Sequence, residues 1–452
     1  MGADDRAKLM DSLKANRRSA RGRASDAPAH KKPVAPKRKV YDFKEMPQIK
    51  QLQMHKAAAD MMGIENPFFR PHDGLASGTS VIEGNNYDNF ASYNYIGLNG
   101  HPKVNAAATA AVAHFGTSVS ASRIVAGERP FHAELEAILA RIHGVESSVV
   151  MVSGHATNVT TIGHLMHKGD LILTDSFVHN SIAEGARLSG ATRMNFPHDN
   201  LDALEKLLAD HRHKFDKVLV IVEGLYSMDG DFPDLKRVIA LKQAYDAWLM
   251  VDEAHSIGVL GKTGRGISEH FDIDPNEVEI WMGTLSKTFS SCGGYIAGSK
   301  VLCDYLKVSA PGFVFSVGMS AALAGAAIAS AELMLQEPER VTKLQKNGSL
   351  FLKLAKEAGL NTGPSAGYAV VPVIVGDSAS AATLSNRLLA RGINALPIIF
   401  PAVPEKSARI RFFITSEHMS GQIERAVQAT VEELDAMRSD GTAVDRLIKA
   451  TR

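Results

Sequence analysis

Trp248-Leu249-Met250-Val251-Asp252-Glu253-Ala254-His255-Ser256-Ile257-Gly258 is the stretch that decides the fold class of this chain. An apolar run of strand length ends abruptly in two acids and a histidine. Unbroken apolar character, rather than alternation, suits a strand covered on both faces. The polar end then falls at the carboxyl edge of a buried sheet, where open α/β sheets bind ligands. Similar runs recur at Ser148–Val152, Asp170–Thr174 and Lys217–Val222, and helical periodicity appears at Val104–His114 and His132–His143. This alternation predicts an α/β large domain over residues 101–335, a mostly parallel sheet with helices on both faces. Beyond Leu335 a long helical pattern gives way to Val370–Val375, a helix over 382–391, a run at Ala408–Thr415 and a helix from Ser420. Residues 336–440 therefore read as a small α+β domain. Residues 41–100 read as an N-terminal arm, with a helix from Ile49 to Met62 and a loop from Pro67 to Gly78. Gly84-Asn85-Asn86 marks a turn between two short strands.

A second stretch, Met282-Gly283-Thr284-Leu285-Ser286-Lys287-Thr288-Phe289, runs into Gly293-Gly294-Tyr295-Ile296-Ala297-Gly298. A lysine forms a Schiff base with an aldehyde only if its amine is desolvated enough to lose a proton. The hydroxyls of Thr284 and Ser286, with glycine-rich backbone after them, suit a phosphate held beside Lys287. Alone, this pattern reads as a surface lysine in a Ser/Gly loop. Asp252, about 35 residues upstream, changes that reading. A buried carboxylate needs a cationic partner. The protonated ring nitrogen of an aromatic aldehyde cofactor would be one, and the pair keeps such a ring electron-withdrawing. His255 would reach the ring's phenolic oxygen. Gly154 and His155 follow the run Val149–Val152 and open a helix, so their free N–H groups form a phosphate-binding turn.

The stretches VDEAHSIGVLGKTGRG (251–266), GTLSKTFSSCGGYIAG (283–298) and EGLYSMDGD (223–231) together resemble the α-oxoamine synthases. These are pyridoxal 5'-phosphate (PLP) enzymes of aminotransferase fold type I. The resemblance runs from roughly Tyr87 to Thr430. FASYNYIGLNGHPKV (90–104) and FGTSVSASRIVAGERPFHAELE (115–136) look like the soluble bacterial serine palmitoyltransferases. It implies a seven-stranded sheet and a homodimer. Lys287, His179, Asp252 and His255 become the catalytic group, with His179 stacked on the ring opposite Lys287 and touching the substrate carboxylate. The family has an aromatic residue where His155 stands. Ser227 falls at the phenolic edge, and Ser316 would reach the phosphate of a neighbouring subunit. Tyr93 and Asn94 match the serine palmitoyltransferase form of the substrate loop, and Arg411 the carboxylate binder. The loop Ile399–Pro404 lacks an arginine that some members carry, as in the aminoketobutyrate ligases.

The reaction implied joins a small amino acid to an acyl thioester with loss of CO₂, giving an α-amino ketone. Serine is expected first, with alanine or glycine as alternatives. The acyl group would be medium or long, carried by coenzyme A or by an acyl-carrier protein. Aminoketobutyrate ligase and aminooxononanoate synthase activities are the alternatives within the family. Outside it stand a PLP aminotransferase and a non-catalytic scaffold subunit, the latter disfavoured by retention of Lys287, Asp252 and His255.

With 452 residues, 45% hydrophobic and 22% charged, the chain can bury two cores. No apolar run reaches the roughly 18 residues of a membrane-spanning helix; only peripheral contact, for a long-chain product, is left open. Two cysteines, Cys292 and Cys303, fit a reducing, cytoplasmic compartment. Cys292 reads as a small buried residue. Residues 1–40 hold Arg17, Arg18, Arg21, Arg23, Lys31 and Lys32 among Ala, Ser and Pro, and read as a disordered basic tail or linker. Leu9, Met10 and Leu13 form a short amphipathic stretch within it, and 441–452 reads as a second tail. Elsewhere charges balance, which excludes a nucleic-acid interface. Asp229 and Asp231 lack the further ligands of a calcium loop and read as turn formers. His101, His114, His143, His164 and His167 read as helix-surface or packing residues; no metal is expected.

Overall fold

A computed structural model describes residues 42–440. Both expected tails, including Leu9, Met10 and Leu13, lie outside the described residues. The chain divides into two compact units, Met1–Ala58 and Ala59–Arg452. The first holds a short 3-10 turn, Phe43–Glu45, and most of the helix Pro47–Met61. The second holds all the strands described below.

Its first strands are β1 (His72–Asp73), β2 (Thr79–Ile82) and β3 (Asn85–Asn89). Glu83 and Gly84, both at positive φ, close the β2–β3 hairpin under the Ile82–Asn85 pair. The turn thus sits one residue earlier than Gly84-Asn85-Asn86 suggested, because the two-residue left-handed turn needs a glycine at its second position.

The large sheet comprises β4 (Ser147–Met151), β5 (Leu171–Asp175), β6 (Thr192–Phe196), β7 (Val218–Glu223), β8 (Trp248–Asp252), β9 (Ile280–Thr284) and β10 (Gly294–Gly298). Their order is β4-β10-β9-β8-β7-β5-β6, and only β10 runs antiparallel to its neighbours. The strand pleat sorts the apolar runs onto two faces. Val149, Met151, Ile172, Leu219, Ile221, Met250 and Met282 pack in one cluster. Val150, Leu171, Leu173, Val220, Val222, Leu249 and Val251 pack in the other. Each such side chain, fully buried, stabilises the fold by roughly 1.5–3 kcal/mol.

β11 (Val370–Gly376), β12 (Ile393–Asn394), β13 (Leu396–Ile398) and β14 (Ala408–Phe413) belong to the smaller sheets. β11, β14 and β13 make an antiparallel sheet with β14 central. β12 pairs in parallel with β3, so strands of the expected arm share a sheet with the C-terminal segment. No helix among the described residues is long and apolar enough to cross a membrane.

Candidate active site

At the carboxyl ends of the parallel strands lies a cleft of about 250 Å³, lined by residues that follow β4, β5, β7, β8 and β9. Gly154, His155, His179, Ser227, Asp252, His255, Thr284, Ser286 and Lys287 all line it. Residues from Gly154 to Lys287 meet there because each ends or follows a strand at the same sheet edge.

Asp252 closes β8 and is buried. It accepts from Asn158 Nδ2 at 2.8 Å and from the Ala254 N–H at 3.0 Å. It has no ion-pair partner among the described residues. Glu253, the next residue, points the other way and accepts from Ser256 Oγ and the Ile267 N–H. Burial pushes its pKa up to about 8. Beside Asp252 stands Glu223, its register partner at the end of β7. Glu223 is buried and accepts the His179 N–H at 2.6 Å. Desolvation, then the neighbouring Asp252, holds its pKa well above the usual carboxylate range.

Desolvation lowers the pKa of Lys287 to about 8, against the opposing pull of Asp252 and Glu223. Its Nζ lies 5.7 Å from the centre of the Tyr93 ring. His255 is buried, and its Nδ1 is 2.7 Å from the Tyr95 hydroxyl. Desolvation, with Lys287 and Arg411 adding to it, keeps this imidazole neutral. His179 caps the helix Asn180–Ser189, with Nδ1 2.7 Å from Ser181 Oγ. Its ring stands 6.3 Å from that of His155, nearly perpendicular. Desolvation lowers its pKa too.

The far end of the cleft suits an anion. The helix Gly154–Leu165 begins there, capped by Ser153. The Thr284 and Ser286 hydroxyls stand 2.8 Å apart nearby. A Cβ at Gly154 would come within 2.8 Å of Thr284 Oγ1, so glycine keeps this end open.

Other expected residues lie beside the cleft or away from it. Arg411, on β14, donates from Nη1 to the Ser227 carbonyl at 2.8 Å and lies 4.5 Å over the Phe413 ring. Its Nε is buried without a hydrogen-bond partner among the described residues. Asn94 does not line the cleft: its carbonyl oxygen accepts from the Leu98 and Asn99 N–H groups, and its amide donates to Ala76 O and Glu417. It shapes the loop that presents Tyr93. Ser316 lies on another surface, beside the exposed Phe315 and Val125. Cys292, expected to be buried, is exposed and lines the cleft; Cys303 is the buried one. Cys292 faces the cleft rather than the core, with its sulfur 4.0 Å from the Val152 carbonyl oxygen.

Asp229 and Asp231 do more than form a turn. Asp229 is ion-paired with Arg409, and Asp231 Oδ2 is 2.9 Å from His198 Nε2. Of the packing histidines, His143 is buried, 2.9 Å from the Tyr295 hydroxyl, and burial drops its pKa to about 3. Asn158, Glu223, Ser181 and Tyr95 belong to the site but were not expected. Glu223 had a visible signal, an acid ending an apolar run as Asp252 does. Asn158 also had one, four residues along the helix that Gly154 opens.

PLP fits this arrangement. Among the described residues the buried Asp252 carboxylate has no ion-pair partner and the buried Asn158 Oδ1 no hydrogen-bond partner, and the glycine turn with two hydroxyls suits a phosphate.

The chain matches the family "Aminotransferase class I and II" over residues 86–429. It is 37% identical over 356 residues to the 8-amino-7-oxononanoate synthase of Treponema denticola, covering 79% of this chain and 90% of that protein. Its fold superimposes on Sphingomonas wittichii serine palmitoyltransferase with a TM-score of 0.83 at 27% identity, covering 88% of this chain and 99% of that one. A serine palmitoyltransferase variant from S. paucimobilis, with a bound PLP–myriocin aldimine, gives 0.83 at 25% identity, with 88% and 100% covered. Lys287, Asp252 and the strand-end cleft therefore belong to a fold type I chain of the PLP-dependent α-oxoamine synthase family.

Proposed function

We propose that this protein condenses a small amino acid, serine first, with a medium- or long-chain acyl thioester, releasing CO₂ and an α-amino ketone. The observation that carries this reading is the gathering of a deprotonatable Lys287, a buried Asp252 and the Arg411 guanidinium around one strand-end cleft.

In this reading Lys287 would hold PLP through Nζ, Asp252 would keep the ring nitrogen protonated, and Ser227 and His255 would serve the phenolic oxygen. His179 would lie against the ring, and Gly154, His155, Thr284 and Ser286 would hold the phosphate. PLP, when bound, is the electron sink for the carbanion at the substrate's α-carbon. Once the substrate amine has displaced it, Lys287 Nζ, neutral above a pH of about 8, would take the α-proton. Arg411 holds the carboxylate with a fork that a lysine cannot reproduce, and Tyr93 walls the substrate beside Lys287. The α-carbon, carrying the electron pair left by that proton, then attacks the thioester carbonyl and expels the thiolate, which takes a proton from solvent; the carboxylate leaves as CO₂, and Lys287 Nζ returns its proton to the α-carbon. In a homodimer, Ser316 would reach the partner's phosphate site.

Similarity to the serine palmitoyltransferase structures supports serine. A second reading, aminooxononanoate synthase activity, is favoured by the 37%-identical relative. The amino-bearing carbon and its methyl group in that product correspond to alanine, so the amino acid separates the two. The test is incubation of the holoenzyme with serine, alanine or glycine and acyl donors on coenzyme A or a carrier protein, read by mass spectrometry. A decarboxylated amino ketone from serine supports the proposal. Turnover with alanine alone selects the second reading, and amine transfer to a keto acid without CO₂ release refutes both.

A further inference from the structure

His198 is not part of the cleft, yet it joins three of the loops at the same sheet edge. It follows β6, and its Nδ1 is 3.0 Å from Asp175 Oδ1 at the end of β5. Its Nε2 is 2.9 Å from Asp231 Oδ2, beyond the end of β7. Carboxylates accept only, so both ring nitrogens donate, and the ring is an imidazolium. The ring is stacked on Phe177 at 4.4 Å and edge-on to Tyr226 at 4.6 Å. Desolvation opposes its charge, but the hydrogen bonds to Asp175 and Asp231 raise its pKa to about 10.

Both ends of this bridge lead to the cleft. On one side, Asp175 also accepts the Phe177 N–H at 2.7 Å and the Asp199 N–H at 2.9 Å. Two residues beyond Phe177 comes His179, whose own N–H is held by Glu223. On the other side, Asp231 ends the turn that begins at Glu223. That turn carries Ser227, whose carbonyl receives Arg411, and Asp229, which is paired with Arg409. A single cation therefore ties the loop bearing His179 to the turn that anchors Arg411.

We propose that His198 is a positioning residue, a charged clamp that sets His179 and Arg411 at their working separation across the cleft. The inference rests on the roles given to those two residues above. A group held by one loop drifts with that loop, and a misplacement of about 1 Å can lower turnover by about a hundredfold. The clamp removes that freedom without touching the substrate.

The test compares wild-type holoenzyme with His198→Gln and Asp231→Asn. Glutamine cannot donate at both ends from one plane, and the asparagine variant leaves the Asp175 end intact. Visible circular dichroism of bound PLP reads the placement of His179 without substrate. Titration with serine, alanine and glycine reads Arg411. Both variants should bind PLP with unchanged stoichiometry, lose dichroic intensity at the cofactor band, and bind the amino acid about tenfold more weakly. Wild-type dichroism and affinity in both variants, even with lowered melting temperatures, would show that His198 only stabilises the fold. If His198→Gln does not fold, Asp231→Asn carries the same comparison. If the wild-type holoenzyme binds no small amino acid, the functional reading fails, while the dichroism still decides on the clamp.

Discussion

Arg411→Lys isolates carboxylate recognition. In the structure the guanidinium spends Nη1 on the Ser227 carbonyl, lies over the Phe413 ring, and keeps a buried Nε with no partner. That unpaired donor is already desolvated, so a carboxylate reaching it gains a charge-assisted hydrogen bond of about 1.5–3 kcal/mol. Lysine has no donor at that point along its side chain. It also gives up the guanidinium's cation–π contact over Phe413, about 0.5–1 kcal/mol. Together the change costs roughly 2–4 kcal/mol, or about 30- to 1000-fold in affinity for the amino acid. The assay is titration of PLP-loaded enzyme with serine, followed through the visible absorbance of the cofactor. PLP affinity should not move, because Arg411 is placed on the substrate and not on the ring. A dissociation constant within about threefold of wild type would refute the assignment, since no rearrangement of one ammonium restores both interactions.

Borohydride reduction should fix PLP to the peptide carrying Lys287, and peptide mapping that finds another lysine would remove the central residue of the site. Lys287 titrates near 8 rather than at its ordinary 10.5, so its reactive neutral form is lost below that pH. Capture of PLP by the apoprotein should therefore slow about tenfold per pH unit below 8 and level off above it, and a rate still rising tenfold per unit at pH 9 would contradict the depressed pKa. Asp252→Asn should fold and bind amino acid but lose most α-proton exchange, measured by deuterium incorporation, because an amide cannot hold the ring nitrogen protonated; near-normal exchange would show that Asp252 serves structure alone. The active species should be a homodimer by sedimentation, and full activity of a monomer would exclude a role for Ser316 across subunits.

β4, β5, β7 and β8 were legible because burial on both faces leaves mainly apolar residues between polar ends, as in Val218–Val222 and Leu249–Val251; β9, equally buried, was not, since Gly283 and Thr284 cut its apolar run to three residues. The edge and glycine-rich strands were not. β6, Thr-Arg-Met-Asn-Phe, is half-exposed at the sheet edge and shows no apolar run. β10, Gly-Tyr-Ile-Ala-Gly, offers only three apolar residues between two glycines, which weaken a strand signal. The pairing of β3 with β12 joins residues some 300 positions apart, and nothing local in Ile393-Asn394 announces it.

Legibility of the site followed the same physics. Lys287, Asp252 and the Gly154 turn announce themselves because each breaks a local rule: a lysine among small residues, an acid ending an apolar strand, a glycine opening a helix. Their partners break none. Asn158 and Ser181 are ordinary helix residues until folding brings Asn158 Nδ2 within 2.8 Å of Asp252 and 2.9 Å of Ser181 Oγ. Asp229 and Asp231, flanking Gly230, satisfy every expectation for a turn, and their ion pairs with Arg409 and His198 appear only once β14 and the loop after β6 arrive. A charge set at a strand end by neighbours distant in sequence is invisible until the strands are in order. This is why the residues that perform the chemistry could be read one by one, whereas the residues that hold them at fixed distances emerge from the sheet edge as a whole.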